Sequence, residues 1–224
     1  MRLLLPSLIT WGTLTLASPL QPRASQPQTC NGQASFCNRL YTNVSWIGTH
    51  DSAFVGSTAD VRVNQEKNVT AQLDAGIRFL QAQTHKSLLG NTTLELCHTS
   101  CLLEDAGSLE AYLTTVKNWL SAAGNQNEVL TMLLTNGDSV DVSLFDEAFV
   151  ASGLKQYAFV PSSSPAVLGF GAWPTYGQLI ASGKRLVMFL DYGANAAKVP
   201  YILDEVSFPA PRAGRHQRPA TDLI

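Results

Sequence analysis

Apolar and polar positions alternate along this chain in two rhythms. Residues 108–123 carry the helical one. Leu109, Tyr112, Leu113, Val116, Trp119 and Leu120 make one apolar face, Ser108 can cap the segment and Gly124 ends it. Residues 68–75 have helical character and close at Gly76; residues 142–152 and 175–182 predict two further helices, the latter stopped at Gly183. Between them lie strand patterns at residues 44–50, 77–83, 93–97, 128–135 and 184–190. Residues 128–135 are almost wholly apolar, as expected of a strand covered on both faces.

Strand followed repeatedly by helix predicts an α/β fold with a parallel sheet. Polar residues gather where strands end: Thr49-His50-Asp51, Gln83-Thr84-His85, His98-Thr99, Thr135-Asn136-Gly137-Asp138 and Asp191-Tyr192. That placement is the site pattern of a TIM-type (β/α) barrel. No glycine-rich phosphate loop follows the first strand, which disfavours a nucleotide-binding doubly wound sheet. About five core strands precede residue 208, where a full barrel needs eight. Residues 208–224 hold three prolines and three arginines without apolar period. They are expected to form an irregular tail and to leave the barrel incomplete at its C-terminal end.

At the other end, Arg2 precedes an apolar stretch from Leu3 to Leu16, and small residues follow at Ala17 and Ser18. Residues 1–17 therefore predict a signal peptide, and residues 18–29, rich in Pro, Ser and Gln, a flexible leader. The barrel domain is expected over residues 30–207. An even set of cysteines, Cys30, Cys37, Cys97 and Cys101, fits disulfides in a secreted chain. The local pairing Cys30–Cys37 and Cys97–Cys101 is expected because each would staple one loop. A zinc site is the rival, and the unequal spacings within the two pairs count against it. Sequons at Asn43, Asn68 and Asn91 fit a glycosylated, extracellular protein.

Charge narrows the partners. Lys+Arg 15 stand against Asp+Glu 17, for a net charge of −2. No basic excess exists to neutralise a nucleic-acid backbone or grip an anionic membrane, so no nucleic acid and at most peripheral membrane contact are expected. The oligomeric state stays open.

Three segments carry candidate chemistry. Gly48-Thr49-His50-Asp51-Ser52 delivers an imidazole and a carboxylate to a strand end. If residues 77–85 form a strand, Phe79, Gln81, Gln83 and His85 share one face, and burying those polar groups calls for a ligand or water. Arg78 then points to the opposite face, outside the site, with a carboxylate such as Asp74 as its expected partner. His98 ends a short strand that Cys97–Cys101 would pin. Read singly, each allows a bland alternative: a histidine capping a loop, a solvated glutamine face, an incidental histidine in a turn.

Taken in order, GTHDS, the Asp74-Ala75-Gly76-Ile77-Arg78-Phe79-Leu80 strand and the strand ending in His98 resemble the catalytic X-region of phosphatidylinositol-specific phospholipases C. The resemblance is closer to a secreted fungal-type group with that barrel, and residues 189–195 (FLDYGAN) and 201–205 look like that group too. It covers about residues 30–205. The resemblance implies a phosphoric diester hydrolase. The histidine matching His50 acts as general base on an inositol hydroxyl that attacks phosphorus, and the one matching His98 as general acid on the leaving alkoxide. Asp51 matches a carboxylate that orients an imidazole. Gln81, Gln83, His85, Asn136, Asp191 and Tyr192 are the candidate substrate contacts. Where the bacterial enzymes carry an acid and an arginine on the second strand, this chain has Gln81 and Gln83, which supply no positive charge. No cofactor is predicted, with a divalent cation such as calcium left open. The alternative reading is a weak or inactive barrel that binds a lipid headgroup or glycan.

Overall fold

The structure, a computed structural model, describes residues 28–57, 59–90 and 93–207. The expectations for a signal peptide, for nearly all of the leader, for the tail and for Asn91 fall outside these residues. The described chain forms seven strands and four α-helices: β1 Gly48–Thr49, α1 Val69–Asp74, β2 Phe79–Lys86, β3 Leu94–Cys97, β4 Asp105–Ser108, α2 Leu109–Ser121, β5 Leu130–Asn136, α3 Val142–Ala151, α4 Tyr176–Ala181, β6 Leu186–Leu190 and β7 Ile202–Asp204.

The helices start where their caps dictate. Asn68, Ser108, Asp141 and Thr175 each accept a backbone N–H from the first turn, and Thr175 with Gln178 completes a reciprocal capping box. All the strands join one sheet. β1, β2, β5, β6 and β7 are mutually parallel, in the order β1-β2-β5-β6-β7. β3 departs from the expected parallel pattern: it runs antiparallel to β2, pairing Thr84 with Leu96 and Lys86 with Leu94, and β4 pairs antiparallel with it. The cause is the connection after Lys86, which is too short for the crossover of about a dozen residues that a parallel neighbour needs. Among the described residues no pairing joins β7 to β1, so these residues form a mixed α/β fold whose sheet is not closed.

The sheet separates two apolar clusters. Leu80, Ala82, Leu130, Met132, Leu134, Leu186, Met188 and Leu190 pack against Leu113, Val116 and Leu120 of α2 and Phe145 and Phe149 of α3. The opposite face, with Val187 and Phe189, meets Tyr41, Leu168, Trp173 and Tyr176. Here the segment after Cys30 closes the lower end of the strands. Asn31 exchanges hydrogen bonds with the backbone of Val129, and the Tyr41 hydroxyl reaches Thr131 at 2.6 Å. A Cys30–Cys37 disulfide closes this segment and Cys97–Cys101 closes the turn after β3.

Strand alternation on β2 is regular. Leu80, Ala82 and Thr84 are buried on the helix side, while Phe79, Gln81, Gln83 and His85 are half-buried on the other. Arg78 lies outside the site, with a different partner from the one expected. Its Nε meets Glu128 at 2.7 Å and its guanidinium lies over Trp119, whose indole N–H takes Asp74 instead.

Candidate active site

Each residue of the GTHDS turn has a separate task. A Cβ on Gly48 would stand 2.4 Å from the Phe79 ring, so only glycine lets β1 lie this close to β2. Thr49 donates to Gln72 at 2.7 Å. The Ser52 hydroxyl donates to the Gln81 carbonyl at 2.9 Å and meets the Tyr112 hydroxyl at 2.8 Å, which anchors the far end of the turn to β2 and α2. Between these anchors, His50 is carried outward and Asp51 inward: the His50 side chain is 48 % exposed and that of Asp51 has no exposed surface.

Asp51 is the hub. Its Oδ2 lies 3.4 Å from His50 Nε2, 3.5 Å from His98 Nε2, and accepts a 2.9 Å hydrogen bond from the Gln83 amide. Gln81 Oε1 receives the Asp51 backbone N–H at 2.7 Å, and Gln83 Oε1 receives that of Thr99 at 3.1 Å. The two glutamines of β2 thus fasten the turns that present the two histidines. Both turns bend sharply just past the histidine: Asp51 has φ 48° and Thr99 φ 65°, the left-handed region that non-glycine residues avoid. Burial raises the Asp51 carboxyl above its ordinary range, opposed by the two adjacent imidazoles, and its Oδ1 is enclosed without a hydrogen-bond partner.

The ring nitrogens that face away from Asp51 have different partners. His98 Nδ1 lies 2.6 Å from the Arg62 carbonyl, which can only accept, so this nitrogen carries a proton. His50 Nδ1 lies 3.3 Å from the Asn64 amide nitrogen. Phe54 stacks on the His98 ring with centroids 5.2 Å apart. Sequence reasoning missed Arg62, Asn64 and Phe54.

His85 continues the glutamine face toward the mouth. Asp138 Oδ1 lies 3.1 Å from its Nδ1, and a Cβ on Gly137 would stand 2.6 Å from its ring, so a larger residue there would push the His85 ring aside. The Lys86 backbone N–H and His85 hold the Asp138 carboxyl below its ordinary range. The other three candidate contacts are placed differently. Asn136 is buried, and its amide exchanges hydrogen bonds with both backbone groups of Val140 and donates to the Tyr192 carbonyl. Asp191 Oδ1 accepts the backbone N–H groups of Asn136 and Tyr192, each at 2.7 Å. Tyr192 is 66 % exposed. Of the sequon asparagines within the described residues, Asn43 and Asn68 are exposed. Among those residues no group of three or more His, Cys, Asp or Glu side chains is arranged to hold a metal ion.

His50 follows β1 and His98 follows the antiparallel β3, and the two rings share one buried carboxylate, an arrangement that can supply a base and an acid. The chain belongs to the PI-PLC X family: the family model, PI-PLC X 1, matches residues 36–210. A protein of Arthroderma benhamiae named PI-PLC X domain-containing protein 1 is 49 % identical over 185 residues, covering 82 % of this chain and 58 % of that protein. An uncharacterized secreted protein of the same organism is 43 % identical over 188 residues, covering 84 % of this chain and 41 % of its own length. The chain thus spans about half the length of these relatives. Two structures of the phosphatidylinositol-specific phospholipase C of S. aureus share the fold. A double mutant has TM-score 0.54 at 20 % identity, covering 74 % of this chain and 53 % of that one. The other has TM-score 0.55 at 19 % identity, covering 71 % and 51 %.

Proposed function

We propose that this chain is a secreted phosphoric diester hydrolase of the phospholipase C type, cleaving a phospholipid or related phosphodiester. The observation that carries the reading is the approach of His50 and His98, each through Nε2, to one buried carboxylate oxygen at 3.4 and 3.5 Å. In the proposed reaction His50 removes the proton from the attacking hydroxyl, whose oxygen forms the new bond to phosphorus. As the bond to the leaving alkoxide breaks, His98 delivers a proton to that oxygen. Asp51 holds both rings in register and offsets charge on the protonated one. Gln81, Gln83 and His85 line the side from which substrate enters. The two disulfides and a relative named as secreted support an extracellular site of action; no described helix is long and apolar enough to cross a membrane.

The test is release of a phosphorylated headgroup from a panel of phosphodiesters, with and without chelator. His50→Ala and His98→Ala should each lower the rate on the order of 10²-fold or more while melting stays parental. A near-parental rate in either variant removes its assigned role.

One observation favours a second reading, a barrel that binds a lipid headgroup or glycan and turns it over weakly or not at all. Gln83 has its amide on Asp51 and its carbonyl on Thr99, and neither end supplies a cation for phosphate charge. Headgroup binding that survives loss of both histidines, without turnover in the parent, would select this reading.

A further inference from the structure

The turn at residues 59–65, between β1 and α1, takes no part in the chemistry outlined above, and it touches both histidines. Gln65 donates to the His50 carbonyl at 2.6 Å, and Asn64 meets His50 Nδ1. Asn64 and Gln65 are themselves fixed, since both backbone N–H groups donate to the Phe54 carbonyl at 3.0 Å. Arg62 has the larger reach. Its Nε and Nη2 form a fork onto the Asp60 carboxylate at 2.9 and 2.6 Å, and Asp60 also takes the Arg62 backbone N–H at 3.0 Å. The remaining arm, Nη1, crosses to the next loop, donating to the Leu103 carbonyl at 3.0 Å and lying 3.8 Å from Glu104. The Glu104 carbonyl in turn accepts the backbone N–H of His98 at 3.2 Å.

His98 is therefore gripped twice through one residue. The Arg62 carbonyl holds the ring at Nδ1, and the Arg62 guanidinium docks the turn onto the segment that holds the His98 backbone. The chemistry of the ring contact is directional. With Nδ1–H committed to a carbonyl, Nε2 is the ring atom left to give or take a proton, and Nε2 is the atom beside Asp51. At His50 the polarity is reversed, because an amide N–H faces Nδ1.

We propose that Arg62 is a positioning residue for the acid step, holding His98 so that Nε2 carries the transferable proton toward the leaving oxygen. This rests on the base and acid roles proposed above. The Arg62 side chain is 54 % exposed and its ion pairs are solvent-screened, so the effect of removing it is local rather than global.

Two phosphodiesters differing only in the leaving group separate positioning from folding: an alkoxide needs a proton as it departs, whereas a nitrophenolate does not. Arg62→Ala is expected to lower kcat for the alkyl ester on the order of tenfold, because a displaced catalytic group costs rate steeply. The nitrophenyl ester should change by no more than about twofold, since its departure needs no general acid. His98→Ala should show the same selectivity, larger. Equal loss on both esters, or loss on neither, in Arg62→Ala overturns the proposal while a selective His98→Ala leaves the base and acid reading standing. A non-selective His98→Ala defeats both. A readout independent of turnover is the ¹⁵N NMR of the His98 ring. In its neutral form the parent ring should hold its proton on Nδ1, leaving Nε2 to take up and deliver the second proton of the imidazolium, and Arg62→Ala should show mixed tautomers of the neutral ring; an unchanged tautomer overturns the proposal even where no ester is cleaved.

Discussion

The two sides of the strand mouth carry similar polar residues and use them differently. On the β1–β2–β3 side, the amides of Gln81 and Gln83 close on the turns around Asp51 and leave the His50 and His98 rings partly open to solvent. On the β5–β6 side, Asn136 is buried with both ends of its amide on the backbone of Val140, and Asp191 Oδ1 accepts the backbone N–H groups of Asn136 and Tyr192. The lesson is that a polar residue at a strand end is a ligand candidate only where its free atoms, or those it orients, still face the mouth. Where both ends of an amide meet backbone groups, it fastens a loop.

Substitutions that treat the two sides alike test this contrast. The largest effect is expected at the hub. Asp51→Asn should cut turnover on the order of 10²-fold, because the rings lose the carboxylate that aligns them. It should also raise the melting temperature at neutral pH. The sign follows from burial: a carboxyl whose folded value is raised binds its proton more tightly in the native state, so stability falls as pH climbs from the unfolded value through the folded one. The asparagine variant lacks that fall, and a thermal melt series across acidic pH would reveal it. A variant less stable than the parent at pH 7 would contradict the hub's burial cost.

Gln83→Ala comes next, with a loss on the order of tenfold in kcat as Asp51 and the Thr99 turn loosen. Asn136→Ala, on the other side, should instead destabilise by about 1–3 kcal/mol for each buried group left without a partner, with kcat of the folded fraction unchanged. Chemical denaturation alongside steady-state rates distinguishes the two; an Asn136 variant that folds normally and loses turnover would erase the contrast. The smallest effect belongs to Thr99→Gly. Relieving a β-branched residue in the left-handed region should stabilise by about 1 kcal/mol, read from denaturation midpoints, since the glycine keeps the N–H that Gln83 accepts.

Much of this organisation was legible in the sequence, and the gaps have physical causes. Period-two alternation placed Gln81, Gln83 and His85 on one face of β2 and Arg78 on the other. The same rule, applied to β5, puts Asn136 with Leu130, Met132 and Leu134 on the helix side, a signal that the polar cluster at the strand end obscured. The antiparallel course of β3 was readable from its short connection to β2. Arg78 illustrates a different limit: a carboxylate partner could be expected, but the Asp74 carboxylate accepts the Trp119 indole N–H and Glu128, distant in sequence, meets the guanidinium. The Arg62 contact to His98 left no trace at all, because a backbone carbonyl is offered by every residue type. Asp51 as a shared hub was likewise invisible, since it requires the C-terminal ends of β1 and β3 to converge along one edge of β2.

The proposed chemistry requires His50 and His98 to work as one unit on a phosphodiester. The most direct measurement follows a single phosphodiester with an alkoxide leaving group by ³¹P NMR with the parent, His50→Ala and His98→Ala at equal concentration. The expected result is a new phosphorus resonance that grows with the parent and is nearly absent with either variant. A product that accumulates at the parental rate in one of the variants, or no product with the parent across the substrate panel, would contradict it.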